Sequence, residues 1–122
     1  MHVDMGEVLV EFTVLNARTG QRSEPITALA DTGATLTVIP ADILERLEIP
    51  RQRTVSVELA DGRTTQRGVG DAVVALEGET APCRVVFGEP GDATLLGLTV
   101  LEQLGLAVDP VRRRLVPAIF RF

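Results

Sequence analysis

The sequence predicts a mostly β chain with one or two short helices, and three observations carry that expectation. Short runs of β-branched and aromatic residues alternate with polar ones and are bounded by Gly, Pro, Asn or Asp. An Asp61-Gly62 pair stands between two alternating arms, a strong hairpin signal. Helical spacing of apolar residues is confined to two short stretches, one after Pro40 and one after Gly97.

The elements follow in order. Val8 to Leu15 reads as a strand, Asn16 to Ser23 as a turn, and Pro25 to Ala30 as a second strand leading into Asp31. Leu36 to Ile39 is a short strand. Pro40 suits the first position of a helix over Ala41 to Leu47, with Ile43, Leu44 and Leu47 on one face and Ile49-Pro50 as its stop. Thr54 to Leu59 alternates strictly, turns through Ala60-Asp61-Gly62-Arg63, and returns along Thr64 to Gly70. That returning arm lacks large apolar side chains, so the hairpin is expected to project from the body and to be mobile. Ala72 to Leu76 and Ala81 to Phe87 make a further strand pair around Gly78. Thr94 to Gly97 is a short buried strand, followed by a helix over Leu98 to Leu104 that ends at Gly105. Leu106 to Val108 and Leu115 to Val116 pair across a turn opened by Asp109-Pro110.

At 122 residues, with 45% hydrophobic and 24% charged content, the chain has the length of one domain, residues 1–122, and enough apolar material for one modest core. A site needing two copies of a motif therefore needs two chains. The formal net charge is -5, and every one of the 12 basic residues is Arg. An acidic balance without a basic stripe or interleaved aromatics argues against nucleic acid as a partner. No apolar run approaches a membrane span and no signal-like segment opens the chain, so the expected location is a reducing cytoplasm with no membrane partner.

Isolated chemical groups have bland readings. The single histidine, His2, reads as a frayed terminal residue, which removes Ser/His/Asp catalysis and a histidine-based zinc site. The single Cys83 lies in an apolar run and reads as a small buried hydrophobe in preference to a reactive thiol. Arg112 to Arg114 reads as a solvated turn in preference to an anion site.

Asp31 is different. It sits between Ala30 and Thr32-Gly33 at the end of a run that otherwise reads as buried strand. An ionised carboxylate buried without partners costs several kcal/mol, so it must be paired, hydrogen-bonded or functional. An ordinary Asp-Thr-Gly turn is the competing reading.

Three features in order settle the preference. They are Ala30-Asp31-Thr32-Gly33-Ala34, the hairpin tipped by Asp61-Gly62, and Leu95-Leu96-Gly97 running directly into a helix. With these the chain resembles the retropepsin-like aspartic proteases, the single-domain homodimeric branch of the pepsin clan, from about residue 8 to 117. The resemblance implies a retropepsin-like acid-protease β-barrel with one or two short helices and a glycine-containing flap hairpin. It implies an aspartic endopeptidase in which Asp31, Thr32 and Gly33 form the catalytic triplet. Ala34, Thr35 and Leu36, with the flap residues Leu59, Ala60, Asp61, Gly62 and Arg63, would bind an extended peptide or unfolded protein. Leu95, Leu96 and Gly97 would support the loop. No cofactor or metal is implied. Because Asp-Thr-Gly occurs once, activity would require a homodimer with Asp31 supplied by each subunit.

Two departures set the branch. Retroviral members carry two acids where this chain has Thr35 and Leu36, and an Arg where it has Leu98. The pair they form is absent as a unit, which points to an apolar replacement of a polar support and to a bacterial-type member instead of a viral one. The tail after Leu106 reads as its own hairpin, unlike the viral dimer sheet. The alternative from another class is a catalytically weak or inactive retropepsin-like module for dimerisation or peptide binding. A third is an unrelated small β-barrel.

Overall fold

The computed structural model describes residues 7–122, so His2 lies outside the described residues. Among the described residues, nine strands and two helices run in the order β1 (Leu9–Leu15), β2 (Ile26–Asp31), β3 (Thr37–Pro40), α1 (Ala41–Arg46), β4 (Arg53–Glu58), β5 (Thr64–Leu76), β6 (Glu79–Gly88), β7 (Leu95–Gly97), α2 (Leu98–Gln103), β8 (Leu106–Asp109) and β9 (Arg114–Pro117). The mostly β expectation holds, with two short helices.

The seven-stranded sheet has the order β1-β2-β7-β3-β6-β5-β4, and an additional β1–β5 pairing closes it. Strands β1, β2, β7, β3, β6 and β5 thus form a ring, while β4 pairs only with the first half of β5 and stands outside it. Most neighbours are antiparallel, but β2–β7 and β3–β6 are parallel. Strands β8 and β9 make a separate two-stranded sheet.

Alternation explains which faces turn inward. Phe12 and Val14 on β1, and Ala72, Val74 and Leu76 on β5, are buried while residues between them face outward or sit half-buried. They join Ile39, Val85, Phe87 and Leu96 from other strands in one core cluster. The helices cover this core with Leu44 from α1 and with Val100 and Leu101 from α2. Each such fully buried side chain contributes about 1.5–3 kcal/mol from the area it removes from water. A buried Asn16 ties the first turn to the end of α1, its amide donating to the Leu47 carbonyl at 2.7 Å. Its Oδ1 accepts from the Arg18 amide at 2.9 Å, so no polar atom is stranded.

Several boundaries differ from expectation. The stretch from Thr64 to Leu76 is one 13-residue strand, not a hairpin arm followed by a new strand at Ala72. The expected break falls after Gly70, and Gly68 and Gly70 have another role. A Cβ at Gly70 would strike the Pro50 carbonyl oxygen, and one at Gly68 would lie 2.9 Å from the Arg51 side chain. These glycines permit a close crossing of the 49–51 segment; they do not interrupt the strand. Pro40 is the last residue of β3 and the cap before α1, not the first helical residue, with φ -50 and ψ 131. Leu36 precedes β3 instead of belonging to it.

Cys83 is half-buried and not fully enclosed. Burial, with a smaller effect from the Asp71 charge, pushes its thiol up to about 12. The inert reading of this cysteine therefore stands on desolvation.

Candidate active site

Strand β2 carries Asp31 to the rim of the barrel and the chain turns at once. The Ala34 amide donates to the Asp31 carbonyl at 3.2 Å. The Asp31 carboxylate folds back over the turn, and its Oδ1 accepts from the Gly33 amide at 2.8 Å. Asp31 is half-buried, while Thr32 and Gly33 are exposed. The carboxylate is therefore oriented by its own loop, and Oδ2 has no protein donor among the described residues.

The turn is braced from behind by β7 and α2. In the parallel β2–β7 pairing Leu29, Ala30 and Asp31 lie opposite Leu95, Leu96 and Gly97. The Gly97 amide donates to the buried Thr37 hydroxyl at 3.0 Å. Beyond it, the Leu98 amide donates to the Ala34 carbonyl at 2.7 Å and the Thr99 amide to the Thr35 carbonyl at 3.3 Å. The first amides of any helix lack intrahelical partners, and loop carbonyls lack a ladder. Here each supplies what the other is missing. Thr35, Leu36 and Leu98 need no polar side chain for this bracing, because backbone groups do it.

Gly97 is obligatory for the same reason. A Cβ there would lie 2.6 Å from the carbonyl carbon and oxygen of Leu36 and 2.9 Å from the Ala34 oxygen. Only a glycine lets β7 pass this close beneath the loop.

The remaining site candidates divide. Thr35 and Leu36 line a groove of about 460 Å³ with Cys83, Arg84 and Val100, and a second groove of about 550 Å³, lined by Arg51, Glu89 and Asp92, includes none of the candidates. Neither groove is lined by Asp31. At the hairpin tip, Leu59 is half-buried and Ala60, Asp61, Gly62 and Arg63 are exposed. The Leu59 amide donates to the Arg63 carbonyl at 2.7 Å and the Gly62 amide to the Leu59 carbonyl at 2.9 Å, with Gly62 at φ 85. Asp61 pairs with Arg63 at 2.7 Å, but both are exposed and the pair contributes little. The structure thus brings the Asp31 loop and the β7–α2 junction together, whereas the bonds of the tip close within the tip.

Sequence reasoning missed two elements. Thr37 is a hydroxyl in the apolar run Leu36 to Ile39, the same kind of anomaly that marked Asp31, and could have been found that way. Arg67 and Asp92 form a bidentate ion pair, Nε to Oδ2 at 2.7 Å and Nη2 to Oδ1 at 3.0 Å. The Arg67 hydrogen bond is the largest of the influences that hold the Asp92 carboxyl below the usual carboxylate range. Asp92 in turn raises the Arg67 guanidinium.

A closed β-barrel with an Asp-Thr-Gly loop braced by an apolar-apolar-Gly strand and its following helix defines a retropepsin-like acid-protease fold. The family model described as gag-polyprotein putative aspartyl protease matches residues 19–103, well over half of the chain, and the protein belongs to that family. Family membership supports a protease-type function. No curated protein matches the chain. Among the described residues no helix is long and apolar enough to cross a membrane.

Proposed function

We propose that the protein is an aspartic endopeptidase whose site is built from two copies of the chain, one Asp31 from each. The observation that carries this reading is the presentation of Asp31. Its carboxylate is fixed through Oδ1 by the Gly33 amide on a loop braced by β7 and α2, with Oδ2 left for a reaction partner.

One carboxylate cannot serve as both acid and base in the same step. Two like charges about 3 Å apart repel by roughly 5 kcal/mol at an effective dielectric near 20, which is about four pKa units. A facing pair therefore holds one shared proton at acidic pH. The ionised Asp31 takes a proton from water as the water oxygen bonds to the peptide carbonyl carbon. The protonated Asp31 of the second copy gives its proton to the carbonyl oxygen. Collapse of the resulting diol breaks the C–N bond: one diol hydroxyl returns its proton to the now ionised Asp31 of the second copy as the product carbonyl forms, and the proton held by the base passes to the departing nitrogen. Thr32 and Gly33 hold the turn, and the Leu59–Arg63 hairpin closes over an extended peptide that adds as a strand.

The test is Asp31→Asn, assayed on a denatured protein substrate. Cleavage should fall to background while the circular dichroism spectrum and Tm stay at wild-type values. Undiminished cleavage would remove Asp31 from the chemistry and overturn the assignment, whereas a wild type that binds an unstructured peptide without cleaving it would favour a non-hydrolysing peptide-binding module. A statine-type mimic of the diol should inhibit the wild type, and full activity in its presence would count against the mechanism.

A further inference from the structure

We propose that the Arg67–Asp92 ion pair is a positioning pair that sets the pose of the β4–β5 hairpin relative to the strand bearing Asp31. The inference deepens the peptide-hydrolysis reading, in which that hairpin covers the substrate.

Three observations carry it. Both side chains of the pair are shielded from water, at 13% and 19% exposure. The tip pair Arg63–Asp61 stands at 76% and 52%, and the Arg51–Glu45 pair at 43% and 54%. A bidentate pair kept from solvent is far stronger and more directional than an exposed one. Asp92 is itself held in place, because its Oδ2 also accepts from the Glu89 amide at 2.8 Å.

The second observation is where the hairpin is attached. Strand β4 pairs only with β5, opposite residues 64–69, while β5 joins β6 from Val69 onward. The projecting arm is therefore a two-stranded ribbon held by the body along one strand. Such a ribbon is marginal alone and free to change its angle. Arg67 lies in the arm opposite Val55 and attaches it to the body beyond the contacts that Arg51 and Gln52 make with Phe87, Glu45 and Arg84 just before β4.

The third is what lies at the other end of the pair. Asp92 belongs to the loop before β7. Two residues on, the Thr94 carbonyl accepts from the Leu29 amide at 3.1 Å, and Leu95 pairs with Leu29 on β2. The path from hairpin to Asp31 runs through Arg67, Asp92, Leu95 and β2, with a hydrogen bond, an ion pair or covalent chain at every step. The charged groups around the pair are Glu89 on its own loop and Asp42, Glu45 and Arg51, which line the adjacent groove with Asp92. Arg67 holds the Asp92 carboxyl below the usual carboxylate range, so acid reaches the pair only after it protonates ordinary carboxylates.

The experiment compares wild type with Asp92→Asn, Arg67→Met and the double variant. It combines steady-state cleavage of an unstructured peptide with hydrogen exchange of the folded protein. Each single variant should raise KM by about tenfold with kcat within about threefold, and the double variant should be no worse than either single one. Amides of residues 54–66 should exchange about tenfold faster while those of β1 and β6 keep wild-type protection. Arg67→Lys, which keeps the charge but loses the fork, should fall between. Wild-type KM and hairpin exchange in both single variants would overturn the proposal, as would acceleration spread equally over the barrel. If the wild type cleaves nothing, the peptide-hydrolysis reading fails by itself. Confined acceleration in the hairpin would then still support the positioning pair, and its absence would overturn it.

Discussion

Replacing Thr37 by Val removes one oxygen from beneath the Asp31 loop and changes little else. Thr37 is 1% exposed, and its hydroxyl accepts the Gly97 amide at 3.0 Å. Valine has nearly the same volume, so the cavity term is small. The Gly97 N–H is left buried without an acceptor, at a cost of about 1–3 kcal/mol. With a urea m-value of about 1–3 kcal/mol per M for a small protein, the midpoint should fall by about 1 M. Thr37→Ser keeps the acceptor and loses one methyl, for about 1 kcal/mol. The discriminating readout is the Gly97 amide, which should lose exchange protection in the valine variant and retain it in the serine variant. Because Gly97 lies opposite Asp31 in the β2–β7 ladder, kcat should fall with the same pattern. A valine variant within about 0.3 kcal/mol of wild type, with Gly97 still protected, would refute the reasoning.

Two further outcomes follow from the titrating groups. The Asp92 carboxyl is held low, chiefly by its hydrogen bond to Arg67, so its contribution to stability is complete above the ordinary carboxylate value of about 4 and is lost as pH falls through its lower folded value. The stability gap between wild type and Asp92→Asn, measured by urea unfolding, should be constant near neutrality and shrink below about pH 4; a gap unchanged at pH 2 would contradict this. The Cys83 thiol, pushed from 9.0 to about 12, should alkylate at pH 8 about 10³-fold more slowly than a free thiol, and labelling at the free-thiol rate would show it to be unburied.

What was legible in the chain was local. The alternation of β1 and β4, the Asp61-Gly62 turn and the step from Leu95-Leu96-Gly97 into a helix are patterns a few residues long, and the structure keeps them. Asp31 was legible as an acid ending an apolar run, although the structure leaves it half-buried, like Leu29 and Ala30 before it. The failures concern close approaches and distant partners. The role of Gly68 and Gly70 was not legible because the segment that crosses them, 49–51, is remote in sequence. The Gly97–Thr37 bond spans 60 residues and the Arg67–Asp92 pair 25, so no local pattern announces either. The bracing of the loop by the Leu98 and Thr99 amides was not legible, since backbone amides carry no sequence signal.

A site built from two copies of Asp31 is tested most directly by mixing. Wild-type and Asp31→Asn chains, unfolded together and refolded at equal amounts, assemble at random, and cleavage is measured per total protein. If each site needs an ionisable Asp31 from both copies, only wild-type pairs are active and the mixture keeps about a quarter of the wild-type rate. If each copy carries a complete site, the mixture keeps about half, and the two-chain account is contradicted.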